Sequence, residues 1–281
     1  MDIVAVLCVR NELGYLANCL SHLSRNGIKY AVIDHGSTDG SLDLLAQPRF
    51  AKDLVGRWNL PYNGLFELAR QIDKKEQCIS ELKPDWAIHQ DADEVLHSRV
   101  EGESLCDAIA RVDKSGANAI NFDEFVFLPV DQPYRPDCDG WQPLRWYYYY
   151  HPPKHKLIRA RKEGCGLTME RGTGHTLYGD LHLAGEEFAL RHYLFRDQQH
   201  AYSKYANRRF SAAEMKQAWH LDRHAQWRKR FKFPDPSLLQ VAEHASKQAL
   251  DRTYPKVEHY WRWSAGLDSI RLRHLLRILF G

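Results

Sequence analysis

The chain has 281 residues, 44% apolar and 27% charged, with 39 basic and 36 acidic side chains giving a formal charge of +3. That length buries one substantial core, or a larger and a smaller lobe, and the composition excludes extended disorder. A charge this small calls for no nucleic acid partner and allows only a modest attraction to polyphosphates or anionic membranes.

The predicted elements begin with a nearly continuous apolar run, Ile3 to Val9, which reads as a strand covered on both faces. It stops at Arg10, Asn11 and Glu12. Apolar residues at 13, 16, 17, 20 and 23 then follow helical spacing, and Asn26-Gly27 supplies the stop. Tyr30 to Ile33 reads as a second strand, followed by a turn of helix-capping side chains from Asp34 to Gly40 and a short helix through Leu45. Trp86 to Gln90 and Ala119 to Leu128 are further strands. The alternation implies an α/β fold, a Rossmann-like, mainly parallel sheet flanked by helices, with ligands beyond the carboxyl ends of the strands.

After Pro129 the character changes. Residues 131–155 hold five prolines and the aromatic run Trp146 to Tyr150, which suits either an acceptor-binding loop or a stacked aromatic edge strand. Lys156 to Ala160 returns as a strand, whereas Gly164 to Gly174 is too glycine-rich for regular structure. From Gln198 onward, stretches such as Ala201 to Trp219 and Leu238 to Leu250 have helical composition. The expected organisation is a domain over 1–205, split into a nucleotide-binding half (1–128) and an acceptor-side half (129–205), with a helical extension over 206–281.

No run approaches the roughly 18 apolar residues of a membrane span, and the N-terminus lacks a charged segment followed by an apolar one. Six cysteines without Cys-x-x-Cys pairing read as free thiols, so a cytoplasmic protein is expected. In the tail, Leu267, Ile270, Leu275, Ile278 and Leu279 interleave with Arg271, Arg273 and Arg277. A basic amphipathic helix over 267–280 is expected to pack on the protein's own core, with peripheral contact at the inner face of an anionic membrane as the alternative.

The chemistry centres on Asp91 and Asp93. On a strand, residues two apart share a face, so both carboxylates are expected to aim together at a divalent ion, a sugar nucleotide or both, with a solvated strand end or an Asx turn as the plainer reading. Asp34, as an ionised acceptor, suits a base N–H or a ribose hydroxyl, and Arg70 suits base stacking or a phosphate. Outside this context, a turn-former and a helix-surface cation would be the plainer readings of those two residues.

These polar turns are not independent. Val9-Arg10-Asn11-Glu12, then Asp34-His35-Gly36-Ser37-Thr38-Asp39, then Asn63-Gly64 with Ala69-Arg70, then Gln90-Asp91-Ala92-Asp93-Glu94, occur in the order seen in family 2 glycosyltransferases. The chain resembles a GT-A fold sugar transferase of that family. Asn121-Phe122 with Phe125, Lys156-Leu157-Ile158-Arg159, Gly174-His175, and His192-Tyr193 with Lys204 extend the likeness to a bacterial branch with a late His-Tyr pair, over roughly residues 1–205. Two departures stand out: His35 replaces a second aspartate common in the family, and the family's Glu-Asp acceptor motif is not found.

The resemblance implies a metal-dependent inverting glycosyltransferase, a hexosyltransferase in type, that moves a sugar from a nucleotide diphosphate sugar to a saccharide or lipid-linked acceptor hydroxyl. It implies nucleotide-sugar contacts at Val9, Arg10, Glu12, Asp34, Gly36, Arg70, Gln90 and Asp91. Mn or Mg would be held by Asp93, with Asp91 and His192 as further candidates, His192 lying in a segment that closes over the site. Inversion also requires a base for the acceptor proton. Glu124 is chosen on placement, since strand alternation sends Asp123 and Glu124 to opposite faces, and His175 is its substitute. The rival readings are a catalytically silent nucleotide-sugar or glycan-binding protein and a nucleotidyltransferase. The latter expects a glycine-rich phosphate loop where this chain has Arg10-Asn11-Glu12.

Overall fold

The computed structural model describes residues 1–136, 142–153, 156–206, 208–216, 232–242 and 250–263. The first half alternates as expected: β1 (Ile3–Val9), α1 (Leu13–Arg25), β2 (Lys29–Asp34), the one-turn helices α2 (Ser41–Leu44) and α3 (Pro48–Ala51), β3 (Leu54–Asn59), α4 (Leu68–Leu82) and β4 (Trp86–Gln90). Then follow β5 (Glu94–His97), α5 (Leu105–Lys114), β6 (Ala119–Phe127), β7 (Trp146–Tyr150), β8 (Ile158–Lys162), the short strands β9 (Thr168–Met169) and β10 (Leu177–Tyr178), β11 (Phe188–His192), α6 (Gln198–Ala206), α7 (Ala212–Met215) and β12 (Gln240–Val241).

These form a mixed sheet flanked by helices, in the order β12-β7-β6-β8-β4-β1-β2-β3, with β11 joining β6 to β5. The strands β3-β2-β1-β4 are parallel throughout. Around β6 the sheet turns mixed: β7 and β8 run antiparallel to it and β11 parallel. One face of β1 and β4, through Ala5, Leu7, Trp86 and Ile88, packs against Leu16 and Leu20 of α1 and Ile109 of α5. The other face, through Val4, Val6 and Ala87, packs against Cys78 and Ile79 of α4. Burial on both faces explains the unbroken apolar run of β1.

Trp146 to Tyr150 is a strand, paired with β6 on one side and β12 on the other. Its rings stack on β6: Phe125 and Tyr149 lie 5.2 Å apart, as do Phe127 and Tyr147. The glycine-rich 164–174 stretch is more regular than expected, because β9 within it pairs with β10. The segment expected to close over the site is instead β11, held within the sheet between β5 and β6.

Of the helical extension, the described parts contain α7, two single 3-10 turns (Pro236–Leu238 and Tyr260–Arg262) and β12. Asp235 caps the first of those turns by accepting from the Ser237 N–H at 2.9 Å, and Gln240–Val241 then pairs with β7, so 239–241 is extended where a helix was expected. Tyr260 and Trp261 are buried against Tyr148, Leu194 and Phe195. The 267–280 tail lies outside the described residues, and among those described no helix is long and apolar enough to cross a membrane. Cys8, Cys19, Cys78, Cys106 and Cys165 are free thiols.

Candidate functional site

Two polar turns meet at the carboxyl ends of β1 and β2. Val9 ends β1 beside Asp34, and its carbonyl accepts from the His35 N–H at 2.8 Å. Asn11, at φ 57°, takes a backbone form that asparagine tolerates, and its Oδ1 accepts from the Thr38 N–H at 2.7 Å. In return the Asn11, Glu12 and Leu13 amides donate to Ser37, Ser41 and Asp39 side chains. Asp34 folds its own turn, Oδ1 accepting from the Ser37 N–H at 2.9 Å. Gly36, at φ 73°, lies so close to Tyr62 that a Cβ there would meet the Tyr62 Cβ at 3.0 Å.

Tyr62, just past β3, completes this end, and no sequence motif pointed to it. The Arg10 guanidinium lies over its ring at 3.6 Å from the centroid, and His35 meets the ring edge-on at 5.2 Å. His35 Nδ1 lies 2.8 Å from the Leu60 carbonyl, so that nitrogen carries the proton and donates. Arg70 stands on α4 with Glu67 Oε2 at 3.6 Å, and its side chain is 39% exposed.

The Asp91–Asp93 pair departs from the expected geometry. β4 ends at Gln90 and the chain turns at once, with the Glu94 N–H donating to the Asp91 carbonyl at 3.2 Å. Strand alternation therefore does not govern the pair, and the carboxylates diverge. Asp91 accepts from Lys75 of α4 at 3.2 Å through Oδ1 and from Arg159 of β8 at 3.1 Å through Oδ2. Asp93 Oδ2 accepts from Lys204 of α6 at 3.0 Å and lies 3.7 Å from His192 Nε2. Gln90 is buried and shapes the turn from beneath, its amide donating to the Asp91 and Glu94 carbonyls at 2.8 and 3.0 Å.

Glu124 and Asp123 do take opposite faces. Asp123 turns to Arg99, Arg252 and Tyr149. Glu124, buried, accepts from His192 Nδ1 at 2.6 Å. Burial opposes a charge on His192, yet Asp93 and Glu124 together push its pKa up to about 10. Burial likewise opposes charge on Asp93, but Lys204 and His192 hold its carboxyl well below the usual range. Glu12 is pushed up to about 7 by burial, against the pull of Lys204. His175 sits in the loop before β10, where its carbonyl accepts from the Ile158 N–H at 2.8 Å.

Among the described residues no group of three or more His, Cys, Asp or Glu side chains forms a metal cage. An ion completed by diphosphate oxygens and water needs only one or two protein ligands. Asp93 and His192 fit that demand. His192 donates its Nδ1–H to Glu124 and turns Nε2 toward Asp93 Oδ2; an arriving ion would have to displace the proton that Asp93 and Glu124 hold on Nε2, leaving the arrangement in which a carboxylate orients a metal-bound imidazole. Asp91 fits less well, because Lys75 and Arg159 each claim one of its oxygens.

Beneath the turn runs a buried charge network whose pairing the motifs did not reveal. Arg159 bridges Asp91 and Glu94, and further along the same strand Arg161 joins Glu76, which also faces His89 Nε2 at 3.4 Å. Burial, then Lys75, lowers the His89 pKa to about 4. The unfolded chain binds a proton there near pH 6.5 and the folded protein does not, so stability falls as pH drops from about 6.5 to 4. That loss reaches about 2 kcal/mol at pH 5. His89→Gln removes it: the drop in Tm between pH 7 and pH 5 is expected to be smaller in the variant. Parallel drops in both proteins would contradict this account.

No protein-family model and no curated protein sequence matches the chain. Among solved structures it is similar to S. aureus TarS, at 12% identity and TM-score 0.45, covering 80% of this chain and 43% of that one. It therefore spans less than half the length of that protein. TarS 1-349 in complex with UDP-GlcNAc overlaps at 11% identity and TM-score 0.46, over 80% of this chain and 72% of that one. The mannosyltransferase PcManGT from Pyrobaculum calidifontis, in complex with GDP-Man and Mn2+, overlaps at 14% identity and TM-score 0.40, over 82% and 70%. Overlaps this loose leave the functional case to the side chains of this chain.

Proposed function

We propose that this protein is a GT-A glycosyltransferase that uses a nucleotide diphosphate sugar and a divalent ion, Mn or Mg. The observation that carries the reading is the line from Glu124 through His192 to Asp93, whose charge reaches Glu12 in the polar turn after β1. In this reading Asp34, Arg10 and the Tyr62 ring take the nucleoside, whose base has a π-face suited to stacking on tyrosine. Asp93 and His192 hold the ion against the diphosphate, and Asp91 stays with Lys75 and Arg159 as the fixed wall of the site. The ion, when bound, offsets the negative charge that grows on the leaving diphosphate.

Transfer forms a bond from an acceptor hydroxyl oxygen to the anomeric carbon and breaks the bond to the diphosphate, which keeps the electron pair. The acceptor, a saccharide or a lipid-linked hydroxyl, gives up its proton to a base, and the anomeric centre inverts. Glu124 is buried against His192, which suits it to positioning that imidazole more than to meeting the acceptor.

Incubation with a panel of UDP- and GDP-sugars, with and without Mn, tests the reading by nucleoside diphosphate release. One donor is expected to be turned over slowly, with a requirement for the ion. Binding without release would favour the silent nucleotide-sugar-binding protein, and neither binding nor release would overturn both readings.

A further inference from the structure

Lys204 occupies a place that the proposed function leaves unexplained. Its ammonium lies 3.0 Å from Asp93 Oδ2, 3.2 Å from the Leu194 carbonyl and 5.9 Å from the centre of the Tyr15 ring. Asp93 Oδ2 is also the atom that faces His192 Nε2. The Lys204 and Asp93 side chains are both only 13% exposed, so water screens little of their attraction. A carboxylate oxygen, a carbonyl oxygen and an aromatic face together form a cation cradle, and here the chain's own ammonium fills it.

We propose that Lys204 is the resident counter-ion of the Asp93 site, excluding a divalent ion until a diphosphate arrives to take the ammonium. This rests on the proposed function, in which Asp93 and His192 hold the ion. A divalent ion on Asp93 Oδ2 would stand beside a positive ammonium, and that repulsion opposes binding. The lysine stem is long and flexible enough to swing the charge away. A diphosphate in the same pocket offers new oxygens to the released ammonium. Ion and diphosphate therefore bind with positive coupling, and by linkage each tightens the other by the same factor.

Titration of Mn into the full chain, followed by the electron paramagnetic resonance signal of free Mn and corrected with protein-free blanks, tests this with and without UDP or GDP. In the unaltered protein the nucleotide is expected to tighten Mn at least about tenfold, a coupling of ordinary size. Lys204→Gln is expected to bind Mn alone at least tenfold tighter than the parent and to lose most of the coupling, whereas Lys204→Arg keeps the charge and stays weak. Equal Mn affinity in the parent and Lys204→Gln, lost in Asp93→Asn, would overturn the role of Lys204 and leave the metal site standing. Absence of Mn binding by every protein, nucleotide present or not, would overturn the metal site itself and this inference with it. Should Lys204→Gln fail to fold, Mn affinity indifferent to nucleotide in the unaltered protein overturns the proposal alone.

Discussion

Asp93→Ala is expected to reduce ion-dependent donor turnover about a thousandfold or more while the protein stays folded. The loss follows from the atoms removed: one carboxylate faces both His192 Nε2 and the Lys204 ammonium. Asp91 is tied to Lys75 and Arg159, and Glu124 to His192 Nδ1. The fold survives because the backbone of the turn is held independently. The Asp93 carbonyl accepts from the Tyr193 N–H at 2.8 Å, and Gln90 fixes the carbonyls on either side of it. The unpaired cations are spared the usual penalty of burial, since His192 can shed its proton once Asp93 is gone and Lys204 has a flexible stem. Donor turnover and Tm measured on the same preparation separate the two effects. Turnover equal to the parent's would sink the assignment of Asp93.

Much of the frame around this candidate site could be read from the chain, for identifiable reasons. β1 and β4 are buried on both faces, so their apolar runs carry their own boundaries, and β1 ends at Val9 and β4 at Gln90 as the sequence implied. Asp123 and Glu124 parted to opposite faces because β6 is regular there. The error at Asp91 and Asp93 has the same root: alternation holds only while the strand lasts, and this one stops at Gln90, short of both aspartates. Without glycine or proline, only the aspartates themselves, as turn formers, announce the turn that the Glu94 N–H closes on the Asp91 carbonyl. β3 went unnoticed because half its residues are exposed, which weakens the apolar signal of a strand.

The partners of the two carboxylates were less legible. Lys75 lies on α4, and its inward direction shows only in its phase with Ile72, Cys78 and Ile79, all buried on one side of that helix. Arg159 carries a signal of its own. It sits in a strand otherwise fit for burial, and a charge in such a strand requires a buried counter-charge. Glu94 directly after the Asp-x-Asp was the candidate. Tyr62 carried no motif, and only the close approach of Gly36 in three dimensions brings it to the nucleoside end.

The strongest structural consequence concerns that arginine. Arg159 and Glu94 have side chains only 5% and 1% exposed and are joined by a direct ion pair, with Asp91 on the same guanidinium nitrogen. Burial raises the Glu94 pKa to about 7 even though Arg159 pulls it down, so this carboxylate depends on its partner for what charge it keeps. Arg159→Met fills similar volume without the charge, stranding Glu94 beside the ionised Asp91. Breaking a buried pair from one side costs about 3 to 5 kcal/mol, and protonation of Glu94 places the expected value at the lower end. In a chain of this size about 3 kcal/mol lowers Tm by roughly 6 to 12 °C. Arg159→Met with Glu94→Leu removes both charges and is expected to regain most of that loss, since an apolar pair of matched volume is often as stable as the ion pair it replaces. Thermal melts of the parent, the single variant and the double variant decide it. A single variant within 1 °C of the parent, or a double variant less stable than the single, would show that the pair does not hold the floor of this site.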